Sequence, residues 1–154
     1  GGANRRAMEM LLEIGDASNA EAYIDAALTK GERIMGFGHR VYRHSADPRS
    51  HILKRMLHDF CAETDHLALY DLAITVADLI EAKKGLYPNV DFYTAPLLYL
   101  LDIPLELFTP IFAISRVPGW TAQVMAQYAH NRLLRPLAQY VGAVDRPYIP
   151  MDQR

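Results

Sequence analysis

The sequence predicts an all-α protein, and three observations support this fold class. Apolar residues recur at spacings of three and four along most of the chain, which is typical of amphipathic helices. No segment of useful length alternates apolar and polar residues as a half-buried strand does. Helix start and stop signals, above all Asp47-Pro48 and Gly85, flank the periodic segments.

Four helices are predicted in the first 85 residues. A cap residue marks the start of two of these helices, and in one of them a proline follows the cap. A glycine marks the end of three of them. The predicted segments are a short helix that ends at Gly15, a helix from Asn19 to about Lys30, a helix over about 48–63 that begins at Asp47-Pro48, and a helix from about Leu69 that ends at Gly85.

The proline content changes after Tyr87, because eight of the nine prolines lie beyond it. A proline inside a helix removes one hydrogen bond and clashes with the preceding turn. Helices in this half are therefore expected to be short and repeatedly interrupted. We expect them over about 91–101, 105–116 and 119–130, with an irregular tail after the last one.

Composition excludes several classes of protein. A chain of 154 residues with 51% hydrophobic and 22% charged residues can form one globular unit or part of a larger one. No apolar run reaches the roughly eighteen residues of a membrane helix, and no signal peptide is recognisable. The single cysteine, Cys61, excludes an internal disulfide and is typical of a cytoplasmic protein with a buried thiol.

A compact basic segment between Arg33 and Arg55 predicts a site for a small anionic ligand. It holds six Lys or Arg residues against one acid, Asp47, whereas the whole chain has a net charge of -2. The segment is too short for a nucleic-acid-binding surface, so no nucleic-acid partner is expected. Gly36 and Gly38 leave room for a ligand or another backbone segment, although an ordinary loop between helices has the same pattern.

Two side chains in this segment are candidates for substrate contacts. His39 follows the second glycine in a loop, where an imidazole can donate a hydrogen bond to a carbonyl group. Arg49 lies in the first turn after Asp47-Pro48, where a cation opposes the helix dipole. Because that position is favourable only when an anion meets it, Arg49 is predicted to bind one.

Further candidates lie downstream. Asp91 stands among aromatic residues after a Pro-Asn turn, where partial burial raises the pKa of a carboxylate towards that of a general base. A plain helix N-cap is an equally good interpretation of Asp91. Arg116 precedes a Pro-Gly pair, and Arg132 and Arg135 are spaced as helix neighbours, either on a solvated face or at a site. Arginine forks bind carboxylates, so these residues together predict a di- or tricarboxylate substrate.

Five motifs together resemble the C-terminal portion of citrate synthase. They are GFGHRVY, DPR, YPNVDFY, FTPIFAISR with a following GW, and NRLLRP, in this order along the chain. The resemblance extends over the whole chain, including the opening GGAN. It implies an all-α, multihelical fold in which residues 1–116 form a small, coenzyme A-binding domain. Residues 117–154 would then be a C-terminal helix and tail that return to the large domain.

The resemblance implies a reaction that condenses acetyl-coenzyme A with oxaloacetate and hydrolyses citryl-coenzyme A to citrate, in the tricarboxylic acid cycle. Asp91 would remove a proton from the acetyl methyl group, and His39 would polarise the oxaloacetate carbonyl. Arg49 and Arg116 would bind oxaloacetate carboxylates. Arg135 would reach the active site of the partner subunit in a homodimer.

Coenzyme A is implied as part of a substrate, and neither a metal nor another cofactor is implied. The residues implied for the pocket walls are Phe112 on the oxaloacetate side and Met35, Gly36, Phe37, Gly38, Arg43, Lys83 and Lys84 on the coenzyme side.

In the family, a histidine directly before GGAN donates a hydrogen bond to the enolate. The resemblance therefore implies that an upstream large-domain segment completes the site and that the isolated chain is inactive. Arg49 follows His39 by ten residues where nine are usual, so the intervening loop is expected to bulge. Two alternatives remain open: a 2-methylcitrate synthase that uses propionyl-coenzyme A, and an incomplete segment that only folds, dimerises or binds coenzyme A.

Overall fold

The computed structural model describes residues 2–42 and 45–154. This part of the chain contains helices and no β-strand, which confirms the all-α prediction. The helices are α1 (Ala3–Ile14), α2 (Ala20–Thr29), α3 (Pro48–Glu63), α4 (Leu67–Lys84), α5 (Val90–Leu100) and α6 (Phe108–Ala129), with 3-10 turns at Ala17–Asn19, Leu105–Leu107 and Met151–Gln153.

Most helix ends lie at the residues that predicted them. Gly15 and Gly85 follow α1 and α4 with φ angles of 72° and 62°, a conformation that glycine adopts without strain. Asp47 caps α3, because its carboxylate accepts the amide N–H of Arg49 at 3.0 Å. Asn19 precedes α2 as expected, but its side chain donates to the carbonyl of α1 residue Ile14 instead of capping α2.

Helix α6 corrects the prediction for the proline-rich half. Two separate helices were expected on either side of Pro118, whereas one helix of 22 residues runs through it. A proline removes one backbone hydrogen bond, here the one that its amide would donate to the carbonyl of Ile114, and its ring crowds the preceding turn. The turns before and after Pro118 keep their other hydrogen bonds, so the helix continues. Residues 130–150 carry no regular secondary structure, as expected for the tail.

The chain divides into two compact units, residues 1–117 and residues 118–154. The second unit contains the end of α6, the irregular segment and the last 3-10 turn. The assignment of residues 1–116 to a small domain and of residues 117–154 to a larger one stays a prediction. No helix within the described ranges combines the length and the apolar character that a membrane span needs.

The core of the first unit forms around α4 and α5. Helix α5 packs against α1 and α3, and α4 packs against α2 and α3. Cys61 is a fully buried free thiol in this core, as predicted. The largest fully buried apolar side chains are Met8, Leu11, Ile24, Leu57, Leu72, Val76, Ile80, Phe92 and Phe108. The first turn of α5 is therefore anchored by Phe92, which makes it a rigid support for its neighbour Asp91.

A short antiparallel bridge joins residues 36–38 to residues 87–89. Phe37 pairs with Pro88 at its centre. Its two backbone hydrogen bonds are each 2.9 Å long and run from the Gly38 amide to the Tyr87 carbonyl and from the Asn89 amide to the Gly36 carbonyl. The bridge fixes the glycine-containing loop against the entry to α5, although about fifty residues separate the two segments in sequence.

Gly36 is required by close packing within the chain itself. Its φ angle is 87°, and a Cβ atom there would lie 2.9 Å from the Cβ of Phe92. Gly38 has a similar φ of 73°, but a Cβ there would meet the Cδ2 of Leu86 at an ordinary distance of 3.5 Å. The glycine at residue 36 therefore makes room for α5. The sequence allowed either a ligand or another backbone segment to approach this glycine, and at residue 36 it is another segment of the chain.

The two glycines provide a matched test of this packing. Gly36→Ala and Gly38→Ala each place alanine at positive φ, which costs about 1 kcal/mol or more. Only Gly36→Ala adds the clash with Phe92, so we expect a larger fall in Tm for that variant, measured by calorimetry on the full-length protein. Equal falls in Tm for the two variants would contradict the packing argument.

Candidate functional site

A cavity of about 400 Å³ contains three of the residues predicted for the site. These are Met35, Asp91 and Phe112, and the full lining is Gly2, Ala3, Asn4, Arg6, Arg33, Met35, Asp91, Thr109 and Phe112. The lining comes from the start of α1, the loop before residue 36, the first turn of α5 and the first turns of α6. We call this space the Asp91 cavity.

Asp91 is the second residue of α5 and is not its cap. Asn89 caps the helix, since its side-chain Oδ1 accepts the amide N–H of Asp91 at 2.9 Å. The N-cap interpretation of Asp91 is therefore wrong. Within residues 2–42 and 45–154, no hydrogen bond engages the Asp91 carboxylate.

Two opposing effects act on the pKa of Asp91. Its half-buried position raises the pKa of the carboxyl above its ordinary value, because burial disfavours the charged form. The positive charge of Arg49 acts in the opposite direction but does not cancel the effect of burial. An uncommitted carboxylate with a raised pKa is suited to accept a proton from a weak acid.

His39 lies in the loop, half-buried, directly after the bridge with residues 87–89. Its ring Nδ1 accepts the backbone N–H of Val41 at 3.1 Å, and the ring centre lies 4.8 Å from that of Tyr42. A neutral imidazole carries its proton on one nitrogen, so acceptance at Nδ1 assigns the proton to Nε2. His39 can therefore donate a hydrogen bond from Nε2, as its predicted role requires.

Arg49 meets an anion that belongs to the chain itself. Its Nε and Nη2 donate to Oδ1 and Oδ2 of Asp47 at 2.9 Å and 2.5 Å. The hydrogen bond from Arg49 lowers the pKa of the buried Asp47 carboxyl. About half of the Arg49 side chain remains exposed. Asp47 thus offsets the unfavourable interaction between the Arg49 charge and the dipole of α3. A contact of Arg49 with a substrate stays a prediction.

A second cavity, of about 340 Å³, contains several of the residues predicted to bind coenzyme A. Phe37, Gly38 and Lys84 line it, together with His39. The remaining lining residues are Leu28, Glu32, Arg33, Ile34, Arg40, Ile80 and Leu86. We call this space the Lys84 cavity. The predicted contact of Arg43 falls outside the described residues. The bulge expected between His39 and Arg49 stays a prediction, because residues 43 and 44 of that loop are also outside them.

The two predicted lysines have different surroundings. The Lys83 ammonium group contacts Asp25 at 2.6 Å and Glu21 at 3.2 Å, which ties the end of α4 to α2. Lys84 is exposed and lines the second cavity. Of the two side chains, that of Lys84 is the better positioned for an anionic ligand in this cavity.

The other two predicted arginines are exposed and lie outside both linings. Arg116 lies one helical turn after Phe112 in α6. Arg135 lies in the irregular segment of the second unit, where the helical spacing with Arg132 does not apply. Their roles at a substrate stay predictions.

Sequence reasoning missed three residues around these cavities. Arg33 lines both of them, yet in the sequence it was only one of six cations in the basic segment. Arg6 lines the Asp91 cavity, and its position just after GGAN is the one sequence feature that could have identified it. Asn89 was assigned to a turn, and its contacts with both segments had no sequence signal. The described residues contain no group of three or more His, Cys, Asp or Glu side chains suited to a metal ion.

Comparison with known proteins identifies relatives of the whole chain. The family model described as "Citrate synthase, C-terminal domain" matches residues 1–137. Citrate synthase 2 of Bacillus subtilis strain 168 is 48% identical over all of this chain and 41% of its own length. A 2-methylcitrate synthase of Shewanella oneidensis is 42% identical, over all of this chain and 41% of its own length.

A solved structure has the same fold. Citrate synthase of the thermophilic archaeon Thermoplasma acidophilum, in a ternary complex with carboxymethyl coenzyme A and oxaloacetate, matches with a TM-score of 0.80 and 35% identity. The match covers 100% of this chain and 42% of that one. The present chain thus spans less than half of the length of each of these proteins.

The Asp47–Arg49 pair leads to a prediction about stability and pH. Because the pKa of Asp47 is lowered in the folded protein, its charge stabilises the fold above the ordinary Asp range, and this contribution is lost as the pH falls through the lowered pKa. Asp47→Asn should therefore lower Tm at pH 7 and have less effect in acid. Asp47→Ala should cost about 1 kcal/mol more, since it also removes the cap.

Asp16→Asn is the control for this pair. Asp16 also accepts an amide N–H, from Ser18 at 2.9 Å, but it is exposed and has no arginine partner. We expect a smaller change in Tm for this variant when both are measured by thermal unfolding between pH 3 and pH 7. A pH-independent effect of Asp47→Asn would contradict the assignment.

Proposed function

The chain belongs to the citrate synthase family, and we propose that it is the C-terminal part of an enzyme that makes citrate from acetyl-coenzyme A and oxaloacetate. The observation that carries this proposal is the Asp91 carboxylate, which is half-buried, uncommitted in the described structure and raised in pKa. A carboxylate of this kind is suited to remove a proton from carbon next to a thioester.

The proposed reaction begins with proton transfer from the acetyl methyl group to Asp91. The enolate carbon then attacks the ketone carbon of oxaloacetate, while Nε2–H of His39 donates a hydrogen bond to the ketone oxygen. Negative charge develops on that oxygen, and a donor already in position stabilises it without reorganisation. The oxygen then takes up a proton to become the citryl hydroxyl group, and Asp91 releases to solvent the proton that it took from the methyl group. Water finally hydrolyses the citryl thioester, which releases citrate and coenzyme A.

Oxaloacetate carries two carboxylates, and we propose that arginine side chains bind them. We assign these contacts to Arg49 and Arg116, and we assign Arg135 to the site of the partner subunit in a homodimer. The exposed apolar side chains of Ile114, Trp120 and Met125 on α6 support the idea that this helix is covered by another part of the assembly.

An upstream segment is proposed to complete the site. Gly2, Ala3 and Asn4 line the Asp91 cavity, which supports the proposal that an upstream residue of a longer chain would contribute to the site. The enolate-donating histidine of the family has this position. We infer that the isolated chain is inactive, and that the full-length protein is cytoplasmic and uses no cofactor beyond the coenzyme A of its substrate.

Coenzyme A is proposed to lie along the loop of residues 33–38. Its nucleotide end would occupy the Lys84 cavity, where Lys84 supplies a positive charge for a phosphate group. Its thioester end would occupy the Asp91 cavity. Arg33 lines both spaces and is the natural contact for the connecting part of the coenzyme.

A 2-methylcitrate synthase is the second candidate, because a relative with that name matches the whole chain. The two reactions differ by one methyl group on the acyl chain, which is worth only about 1–3 kcal/mol in a pocket. The kcat/KM ratio for acetyl- and propionyl-coenzyme A in the full-length protein separates them. Our proposal predicts a ratio above one, and a ratio below one would favour the second candidate.

Asp91→Asn in the full-length protein tests the proposed base. The amide has the same shape but cannot accept the methyl proton, so we expect kcat to fall by about 10²- to 10⁴-fold. Release of the coenzyme A thiol in the presence of oxaloacetate measures the rate. Asp71→Asn, an exposed change on α4, is the control and should keep wild-type kcat. Near-normal turnover in Asp91→Asn would rule out the proposed mechanism.

Lys84→Ala and Lys83→Ala test the coenzyme site. We expect Lys84→Ala to raise KM for acetyl-coenzyme A about 3- to 10-fold, as loss of a charged contact of about 1 kcal/mol implies. The effect should shrink at high salt. Lys83→Ala removes only the contacts with Glu21 and Asp25, so its KM should stay unchanged. Equal changes in KM for the two variants would contradict the assignment of Lys84.

A further inference from the structure

Asn89 makes hydrogen bonds to two separate parts of the proposed site. Its side-chain Oδ1 accepts the amide N–H of Asp91 at 2.9 Å, and its Nδ2 donates to the carbonyl of Gly38 at 2.9 Å. Its backbone N–H donates to the carbonyl of Gly36, also at 2.9 Å. One residue therefore joins the first turn of α5 to the loop that carries His39.

The hydrogen bond from Asn89 to the Gly38 carbonyl fixes the backbone next to His39. The carbonyl of Gly38 and the amide of His39 belong to one planar peptide group, so a donor that holds the carbonyl also orients the backbone of His39. Gly38 has φ of 73°, and glycine has more conformational freedom than any other residue. The Asn89 side chain removes that freedom at the point where the imidazole is attached.

Helix capping alone does not require asparagine at residue 89. Ser, Thr and Asp also accept an amide N–H at an N-cap, but none of their side chains can donate an N–H to Gly38. The backbone bridge does not replace this contact, because it uses the amide of Gly38 and the carbonyl of Gly36. Asparagine is short enough to cap the helix and still offers a donor to the loop.

We propose that Asn89 is a positioning residue that holds His39 and Asp91 in one fixed arrangement about the substrates. The inference rests on the proposed function, since it assumes that both side chains act in one reaction. A misplacement of about 1 Å between reacting groups costs on the order of 10²-fold in rate. Loss of the Asn89 amide should therefore lower kcat by a larger factor than it raises KM.

Asn89→Ser and Asn89→Asp in the full-length protein test this inference. Both variants keep an acceptor for the Asp91 amide and lose the side-chain N–H group that reaches the Gly38 carbonyl. Asn19→Ser and Asn19→Asp are matched controls, because Asn19 Nδ2 donates to the carbonyl of Ile14 at 3.2 Å, away from both cavities. We expect kcat with acetyl-coenzyme A and oxaloacetate to fall about 10- to 100-fold in both Asn89 variants. The kcat of the two Asn19 variants should stay at the wild-type value. The changes in Tm should be similar for the Asn89 variants and the Asn19 variants.

The pH dependence of kcat separates positioning from an effect on the base. Asn89→Ser adds no charge beside Asp91, so the acidic limb of its profile should stay at the wild-type pH while the plateau falls. Asn89→Asp adds a negative charge, which raises the pKa of Asp91 and should move that limb to higher pH. If the aspartate variant does not fold, the serine variant decides the question.

Two results would overturn the inference: wild-type kcat in Asn89→Ser, or an equal loss of kcat in the Asn19 controls. Asp91→Asn, assayed in parallel, separates this failure from failure of the proposed function. If Asp91→Asn is inactive while the Asn89 variants are fully active, only the positioning role is wrong. If Asp91→Asn is fully active, the proposed function is wrong as well.

Discussion

The contact between residues 36–38 and residues 87–89 is the interaction on which the rest of the site depends. The described residues of the loop before α3 form no helix or strand that would hold the loop in place. Its position is set by the bridge, by the packing of Gly36 on Phe92 and by the side chain of Asn89. Because residues of this loop line both the Asp91 cavity and the Lys84 cavity, the shape of both cavities depends on these few contacts.

Burial and charge shift the pKa of Asp91 in opposite directions, and their balance determines how strong a base the carboxylate is. A carboxylate surrounded only by apolar groups would stay protonated at neutral pH, whereas one paired directly with an arginine would be too weak a base. Arg49 acts on Asp91 through its charge, while its guanidinium hydrogen-bonds Asp47. The pairing of Arg49 with Asp47 thus leaves the Asp91 carboxylate without a strong ion pair in the described structure.

The helices and most of their ends were predictable from the sequence, because their signals are local. Gly15, Gly85 and Asp47-Pro48 act on the residues next to them, so no knowledge of the fold was needed. The break expected at Pro118 was wrong, since the neighbouring turns of α6 keep their own hydrogen bonds. His39 and Asp91 were identified from residue type and from the resemblance of the surrounding motifs. The resemblance supplied their roles, which composition and spacing alone left open.

Features that depend on distant contacts were not predictable in the same way. The role of Gly36 is set by Phe92, and that of Asn89 by Gly38, partners that are about fifty residues away in sequence. Arg33 is a candidate ligand contact only because it lines both cavities, and the sequence alone does not show those cavities. The difference between Lys83 and Lys84 likewise depends on α2, which supplies the acidic partners of Lys83 alone.

The pairing of Arg49 with Asp47 also determines how much entropy this arginine can lose when an anion arrives. A free arginine side chain gives up about 2 kcal/mol of rotamer entropy when it becomes ordered. Asp47 occupies the edge formed by Nε and Nη2, which leaves the N–H groups of Nη1 directed away from it. An incoming carboxylate would thus meet a donor edge whose direction is already set. Lysine at residue 49 would keep the charge but lose this directional preference.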